Sequence, residues 1–150
     1  MAAYSTLEIL EQYEQVRHDQ LKLCDRLEDI ADSLPHGVDR QSCIYIARAL
    51  GPLMARAHRI EEDQLFPAVE EMGNMVLDAR TALAHLKLDH AGDICFAEEL
   101  IEALMQVGRG DEVPGADTIG YMLRGFFESL RRHIAFETQL ANLLRQQVKH

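Results

Sequence analysis

The chain has 150 residues, enough for a buried core, and we expect one domain over residues 1–150. Its formal charge of −10 gives no basic face for phosphates, so nucleic acid is not an expected partner. There is neither an apolar run of membrane-spanning length nor a signal-type segment, which predicts a cytoplasmic protein without a membrane partner. Its three cysteines are widely separated, which predicts buried free thiols.

Residues that favour helix dominate the composition, and the first helix is predicted to begin at the capping box Ser5-Thr6-Leu7-Glu8. Apolar or small residues then follow one stripe, at Leu7, Leu10, Leu21, Cys24 and Ala31, until Ser33 to Gly37 break the helix. Glu14 and His18 lie within that stripe, where a bundle helix usually carries apolar side chains. Such a contradiction is typical of a functional site, although Glu14 would also satisfy His18 as a simple hydrogen-bond partner.

The second helical region is predicted from about Asp39 to about Met72, with a kink or a break at Pro52. After this proline the inward stripe reads Met54, His58, Glu62, Leu65 and Val69. His58 and Glu62 therefore face inward together, one turn apart. We expect Pro67 to bend the helix again before Gly73 ends it.

The third helix is predicted to begin at Asn74, as its N-cap, and to continue to about Val107. Its inward stripe reads Leu83, Leu86, His90, Ile94, Ala97, Ile101 and Leu104. His90 belongs to this stripe, whereas His85 lies on a different face. We therefore prefer His90 to His85 as the functional histidine of this helix, with the choice left open.

A turn-rich loop precedes the fourth helix, for which Asp117 is a suitable N-cap. The inward stripe of this helix reads Ile119, Leu123, Phe126, Leu130, His133, Glu137, Leu140 and Leu144. The two polar members, His133 and Glu137, again lie one turn apart. Four long helices joined by short loops predict an all-α fold, an antiparallel up-down-up-down four-helix bundle.

The four inward stripes together supply six candidate metal ligands: His18, His58, Glu62, His90, His133 and Glu137. Imidazole nitrogens and carboxylate oxygens suit iron, manganese or zinc, and a carboxylate can bridge two cations. Six ligands favour a dinuclear centre. Burial of these groups without a cation would cost kilocalories per group, which favours a metal site over a core network of histidines.

The chain resembles the hemerythrin-like family, also called the HHE cation-binding domain, over nearly its whole length. The resemblance rests on His18-Asp19, the run from His58 to Leu65-Phe66-Pro67, Asp89-His90, and His133 to Glu137. The family implies a four-helix bundle around a non-haem di-iron centre. By position, His18 and His58 would serve one iron and His90 and His133 the other, with Glu62 and Glu137 bridging.

The sequence departs from the oxygen-carrying members of that family. Those proteins carry a second histidine one turn before the one matched by His90, where this chain has Leu86. We therefore weigh three hypotheses. The first is a di-iron protein that binds dioxygen or nitric oxide for transport, storage or sensing. The second is a di-iron redox enzyme or a nitric-oxide or iron-stress protein. The third is a metal-free helical module whose polar core fixes the helix register.

Overall fold

The computed structural model describes residues 4–72, 79–111 and 115–148. All the regular structure within these ranges is helical: α1 (Thr6–Ser33), α2 (Arg40–Ile60), a π-helical turn (Glu61–Leu65), α3 (Phe66–Glu71), α4 (Ala79–Arg109) and α5 (Ala116–Val148). α2, the π turn and α3 follow one another directly and form the second helix of the bundle. The predicted all-α four-helix fold is confirmed.

Side chains at the helix starts supply partners for the free backbone N–H groups. The N–H of Glu8 donates to Oγ of Ser5 at 3.2 Å and the N–H of Ser5 donates to Oε2 of Glu8 at 3.0 Å, which confirms the predicted capping box. Asp39 caps α2 through its carboxylate. The cap predicted at Asp117 is wrong, because α5 begins at Ala116 and Asp117 lies inside its first turn. Asn74 lies outside the described residues.

The irregularity in the second bundle helix lies at the π turn. α2 continues through Pro52 without a break, and a kink there, the other outcome expected at this proline, stays a prediction. Pro67 has no N–H to donate to the carbonyl of Asp63, and its ring crowds that carbonyl. The π turn directly before Pro67 widens the backbone, and the N–H of Phe66 reaches five residues back to the carbonyl of Glu61.

Packing of the helices produces two apolar cores. α1 contacts α2 and α5, and α4 contacts the same two helices, as expected of an up-down-up-down bundle. The larger core joins the second halves of α1 and α4 to α2 and the first half of α5. The smaller core joins the first halves of α1 and α4 to the π turn, α3 and the end of α5.

Between the two cores lies a set of buried polar side chains, which we call the polar layer. Its members are Gln20, His58, Glu61, His90, Asp93 and Glu137. Each of the four bundle helices contributes at least one of them, at a position between its contributions to the two apolar cores. The polar layer is therefore the place where the bundle departs from ordinary hydrophobic packing.

The cysteines are all free thiols, as predicted. Cys24 and Cys43 are buried, whereas Cys95 is exposed, so the expectation of burial is wrong for this residue. None of the helices in the described ranges combines the length and the hydropathy needed to cross a membrane.

Truncation of two leucines on α1 tests where its buried face lies. Leu27 is fully buried and Leu7 is 58% exposed. Leu27→Ala is expected to lower the free energy of unfolding by about 2–5 kcal/mol, because it removes core contacts and leaves a cavity. The matched control Leu7→Ala should change it by less than about 0.5 kcal/mol. Urea denaturation measures both, and equal losses would contradict the burial of α1.

Candidate metal centre

The centre of the polar layer is a cluster of two histidines and two glutamates. His58 on α2, Glu61 in the π turn and His90 on α4 are all buried, and one ligand atom from each lies within 4.8 Å of the others. Nε2 of His90 also lies 2.9 Å from Oε1 of Glu137 on α5 and 3.4 Å from Oε2 of Glu61. Three of the four bundle helices therefore bring nitrogen and oxygen donors to one place.

Ring stacking holds the two imidazoles. The ring centroids of His58 and His90 are 3.9 Å apart and their planes differ by 6°. The ring of Phe66 stacks with His90 at 5.8 Å. Because these rings are buried among one another, the directions of their nitrogens are fixed by packing.

The protonation states of the cluster suit cation binding. Burial, followed by the charge of His90, lowers the pKa of His58 to about 4, so this ring is neutral at pH 7 and its lone pair is free for a metal. Burial, followed by the charge of Glu137 and a hydrogen bond with it, raises the pKa of Glu61 far above its ordinary value. Protonation of Glu61 is therefore favoured in the metal-free protein. A bound cation would instead compensate the negative charge of its carboxylate.

Several buried atoms of this cluster have no hydrogen-bond partner among the described residues. They are Nδ1 of His58, Nδ1 of His90 and Oε1 of Glu61. An unpaired buried polar atom costs about 1–3 kcal/mol, so three in one cluster require an explanation. Imidazole and carboxylate are ligands for iron, manganese and zinc, and a cation would also replace the proton on Glu61. The cluster fits a metal ion on these grounds.

A second donor pair borders the cluster. Nδ1 of His133 lies 2.9 Å from Oδ2 of Asp93, and its Nε2 lies 3.6 Å from Oδ2 of Asp89. The hydrogen bond to Asp93 raises the pKa of His133. Asp93 follows His90 by three residues on the same face of α4 and is buried with it, so this pair lies next to the first cluster.

The structure places His18 outside the site. His18 was predicted to face inward, but its side chain is exposed. The buried polar residue of α1 is Gln20. Two residues correspond to about 200° around a helix, so His18 and Gln20 point to nearly opposite sides. The predicted stripe left out Tyr13 and Val16, which lie between Leu10 and Leu21 and are both buried, and the helical phase was lost across this interval. The inward placement of Glu14 is likewise wrong, because this residue is half-buried and pairs with surface arginines.

In the π turn the inward carboxylate belongs to Glu61. Glu62 was predicted to face inward, but its side chain is 32% exposed and its Oε2 lies 3.7 Å from Nδ1 of His90. On α4, His90 is buried and His85 is exposed, as preferred. Ile94 is exposed and Asp93 takes the inward position instead. His58, His90 and Glu137 lie together, His133 lies beside them, and a metal-ligand role for each stays a prediction.

Glu61, Asp93 and Gln20 belong to the polar layer but were not predicted as site residues. The adjacent carboxylates Glu61 and Glu62 were a usable signal, because either of them can follow His58 at helical spacing. Asp93 likewise follows His90 by three residues and shares its face of α4. Gln20 follows Val16 by four residues and precedes Leu23 by three, so the buried apolar residues around it were a usable signal.

Comparison with protein families agrees with this geometry. Residues 9–142 match the model of the hemerythrin HHE cation binding domain. Neither the curated proteins nor the solved structures contain a significant match to the chain.

Removal of the Asp93 charge tests the His133 pair. Asp93→Asn is expected to lower the pKa of His133 in the metal-free protein toward its ordinary value of 6.5. In the native protein this pair stabilises the fold below the pKa of an unfolded histidine, and the stabilisation is lost as the pH rises through the raised pKa. An NMR titration of the histidine ring measures both proteins. The control Asp89→Asn, at a longer contact, should lower the pKa less, and equal shifts would contradict the pairing.

Substitution of the adjacent residues Glu61 and Glu62 tests which carboxylate belongs to the cluster. Glu61→Gln is expected to weaken Fe²⁺ binding by more than about tenfold, because it removes an anionic donor from the buried cluster. Glu62→Gln should change the affinity by less than about fivefold, because its charge is partly solvated. Anaerobic competition with a chromophoric chelator measures both. A larger loss of affinity in Glu62→Gln would instead support Glu62, the carboxylate that the sequence predicted.

Proposed function

Because this chain belongs to the hemerythrin HHE cation-binding domain family, we propose that it holds a non-haem di-iron centre that binds dioxygen or nitric oxide. Transport, storage or sensing of such a ligand is the expected role. The cytoplasmic location and the lack of nucleic-acid and membrane partners remain part of this proposal.

The observation that carries the proposal is the buried cluster of His58, Glu61 and His90. Nδ1 of His90 and Oε1 of Glu61, which have no hydrogen-bond partner among the described residues, are available to a cation. Glu137 lies within hydrogen-bond distance of His90 and adds a further oxygen donor. This donor set provides the ligands of a first iron.

The neighbouring pair of His133 and Asp93 supports a second iron. Glu137 contacts His90 of the first cluster and follows His133 by four residues on α5, so its carboxylate is near both donor groups. Glu61, Asp93 and Glu137 supply negative charge that offsets the repulsion of two cations. When bound, the two irons would be the redox-active ions to which a small ligand attaches.

Residues of this chain would then control how the ligand reaches the irons. The cluster itself is buried, whereas Glu62 and His133 are partly exposed at its edge. These two side chains are partly exposed polar groups next to the buried cluster. Their carboxylate and imidazole groups can hydrogen-bond a small polar molecule on its way inward.

The metal-free interaction module is less well supported. A buried polar network that serves only to fix helix register is expected to have its donors and acceptors paired. Here three of the six buried atoms without partners among the described residues belong to the cluster of His58, Glu61 and His90. This distribution favours a ligand for the cluster over a purely structural network.

A di-iron redox enzyme is the second candidate, and the composition of the donor set favours it. Three histidines, His58, His90 and His133, lie in or beside the cluster, whereas His18 is exposed. The buried carboxylates Glu61, Asp93 and Glu137 are at least as numerous. Anionic oxygen ligands stabilise the higher oxidation state of iron, since the net charge around the metal sets its reduction potential. Consumption of hydrogen peroxide or nitric oxide over many turnovers would favour the enzyme, and stoichiometric binding would favour the carrier or sensor.

Metal content tests the leading proposal. Protein from iron-replete cells is expected to hold about two irons per chain and to show ferric absorption bands that shift on addition of azide. His58→Ala should lose most of the iron, because it removes a buried nitrogen donor. The matched control His18→Ala should keep it. Folded wild-type protein without iron after anaerobic loading would contradict the proposal.

A further inference from the structure

Gln20 is a buried polar residue that the proposed centre does not yet use. Its side chain is 1% exposed, and it is the member of the polar layer that α1 contributes. Nε2 of Gln20 lies 3.8 Å from Sδ of Met54, a weak acceptor, and Oε1 has no partner among the described residues. A fully buried amide oxygen is thus left without a donor.

A complementary atom lies one turn away. Met54 and His58 are four residues apart on the same face of α2, so an α1 side chain that reaches Met54 is close to His58. Nδ1 of His58 is also buried without a partner. A metal held by Nε2 of an imidazole places the ring proton on Nδ1, which then requires an acceptor.

We propose that Gln20 is a positioning residue of the metal centre. Its Oε1 accepts a hydrogen bond from Nδ1–H of His58, which fixes the tautomer and directs Nε2 of His58 to the cation. A rotation of the Gln20 side chain away from the weak sulfur contact makes this bond. The inference rests on the proposed metal centre and adds to it the residue by which α1 takes part.

Substitution of Gln20 separates this role from simple packing. Gln20→Met, of similar volume, should weaken Fe²⁺ binding by about 10–100-fold, the usual effect of removing an outer hydrogen-bond partner of a ligand. Gln20→Glu, which keeps the acceptor, should bind Fe²⁺ within about threefold of the native protein. The metal-free Gln20→Met protein should be at least as stable as the native one, because an unpaired amide is removed. A packing role alone would leave the affinity unchanged.

Two control variants make a failure interpretable. Gln64 also has a buried oxygen without a partner, but it lies in the π turn, and Gln64→Met should not change the affinity. His58→Ala should abolish high-affinity binding. If His58→Ala binds Fe²⁺ normally, the proposed centre itself is wrong. If it loses binding while Gln20→Met does not, the role of Gln20 alone is wrong.

The native protein provides a direct measurement. With ¹⁵N-labelled histidine and Zn²⁺ as a diamagnetic probe, the NMR spectrum should show Nε2 of His58 as the ligand and Nδ1 as a protonated nitrogen. In Gln20→Met the Nδ1 proton should exchange faster with solvent, because its acceptor is lost. A spectrum with Nδ1 of His58 as the ligand overturns the proposal.

Discussion

The repulsion among buried carboxylates is the constraint on which the rest of the structure depends. Glu61, Asp93 and Glu137 lie in the middle of an otherwise apolar bundle. Such groups are stable only with a proton or a cation between them. In the metal-free protein burial and Glu137 raise the pKa of Glu61 and so favour its protonation, and the imidazole of His133 lies beside Asp93. A protein built in this way has a fold whose centre responds to metal ions, because binding exchanges one compensating charge for another.

Much of the fold could be predicted from the sequence because its signals are local. The capping box at Ser5 and the helical periodicity act within a few residues and do not depend on the tertiary structure. The inward stripe of α5 was placed correctly except for the partial exposure of His133, because its apolar residues continue without interruption from Ile119 to Leu144. The four-helix architecture then follows from the number and length of such stripes.

The site could be predicted only in part, because its residues depend on the exact helical phase. The π turn changes the phase after Ile60, and a constant 3.6-residue period cannot represent it. On α1 the predicted stripe left out Tyr13 and Val16, whose burial marks the helical phase that leads to Gln20, so His18 was chosen in its place. The carboxylate of Asp93 was missed because Ile94, beside it, offered a more apolar candidate for the same face.

The division of the hydrophobic interior into two cores has a consequence for local stability. The smaller core holds the first turns of α1 together with α3, and the polar layer separates it from the larger core. Without a metal ion, several buried atoms of that layer have no hydrogen-bond partner among the described residues, so the small-core end can open at a lower free energy than the rest of the bundle. A bound cation would link residues of three bundle helices within the layer. The backbone amides at the small-core end would then exchange their hydrogens only as fast as the whole domain unfolds.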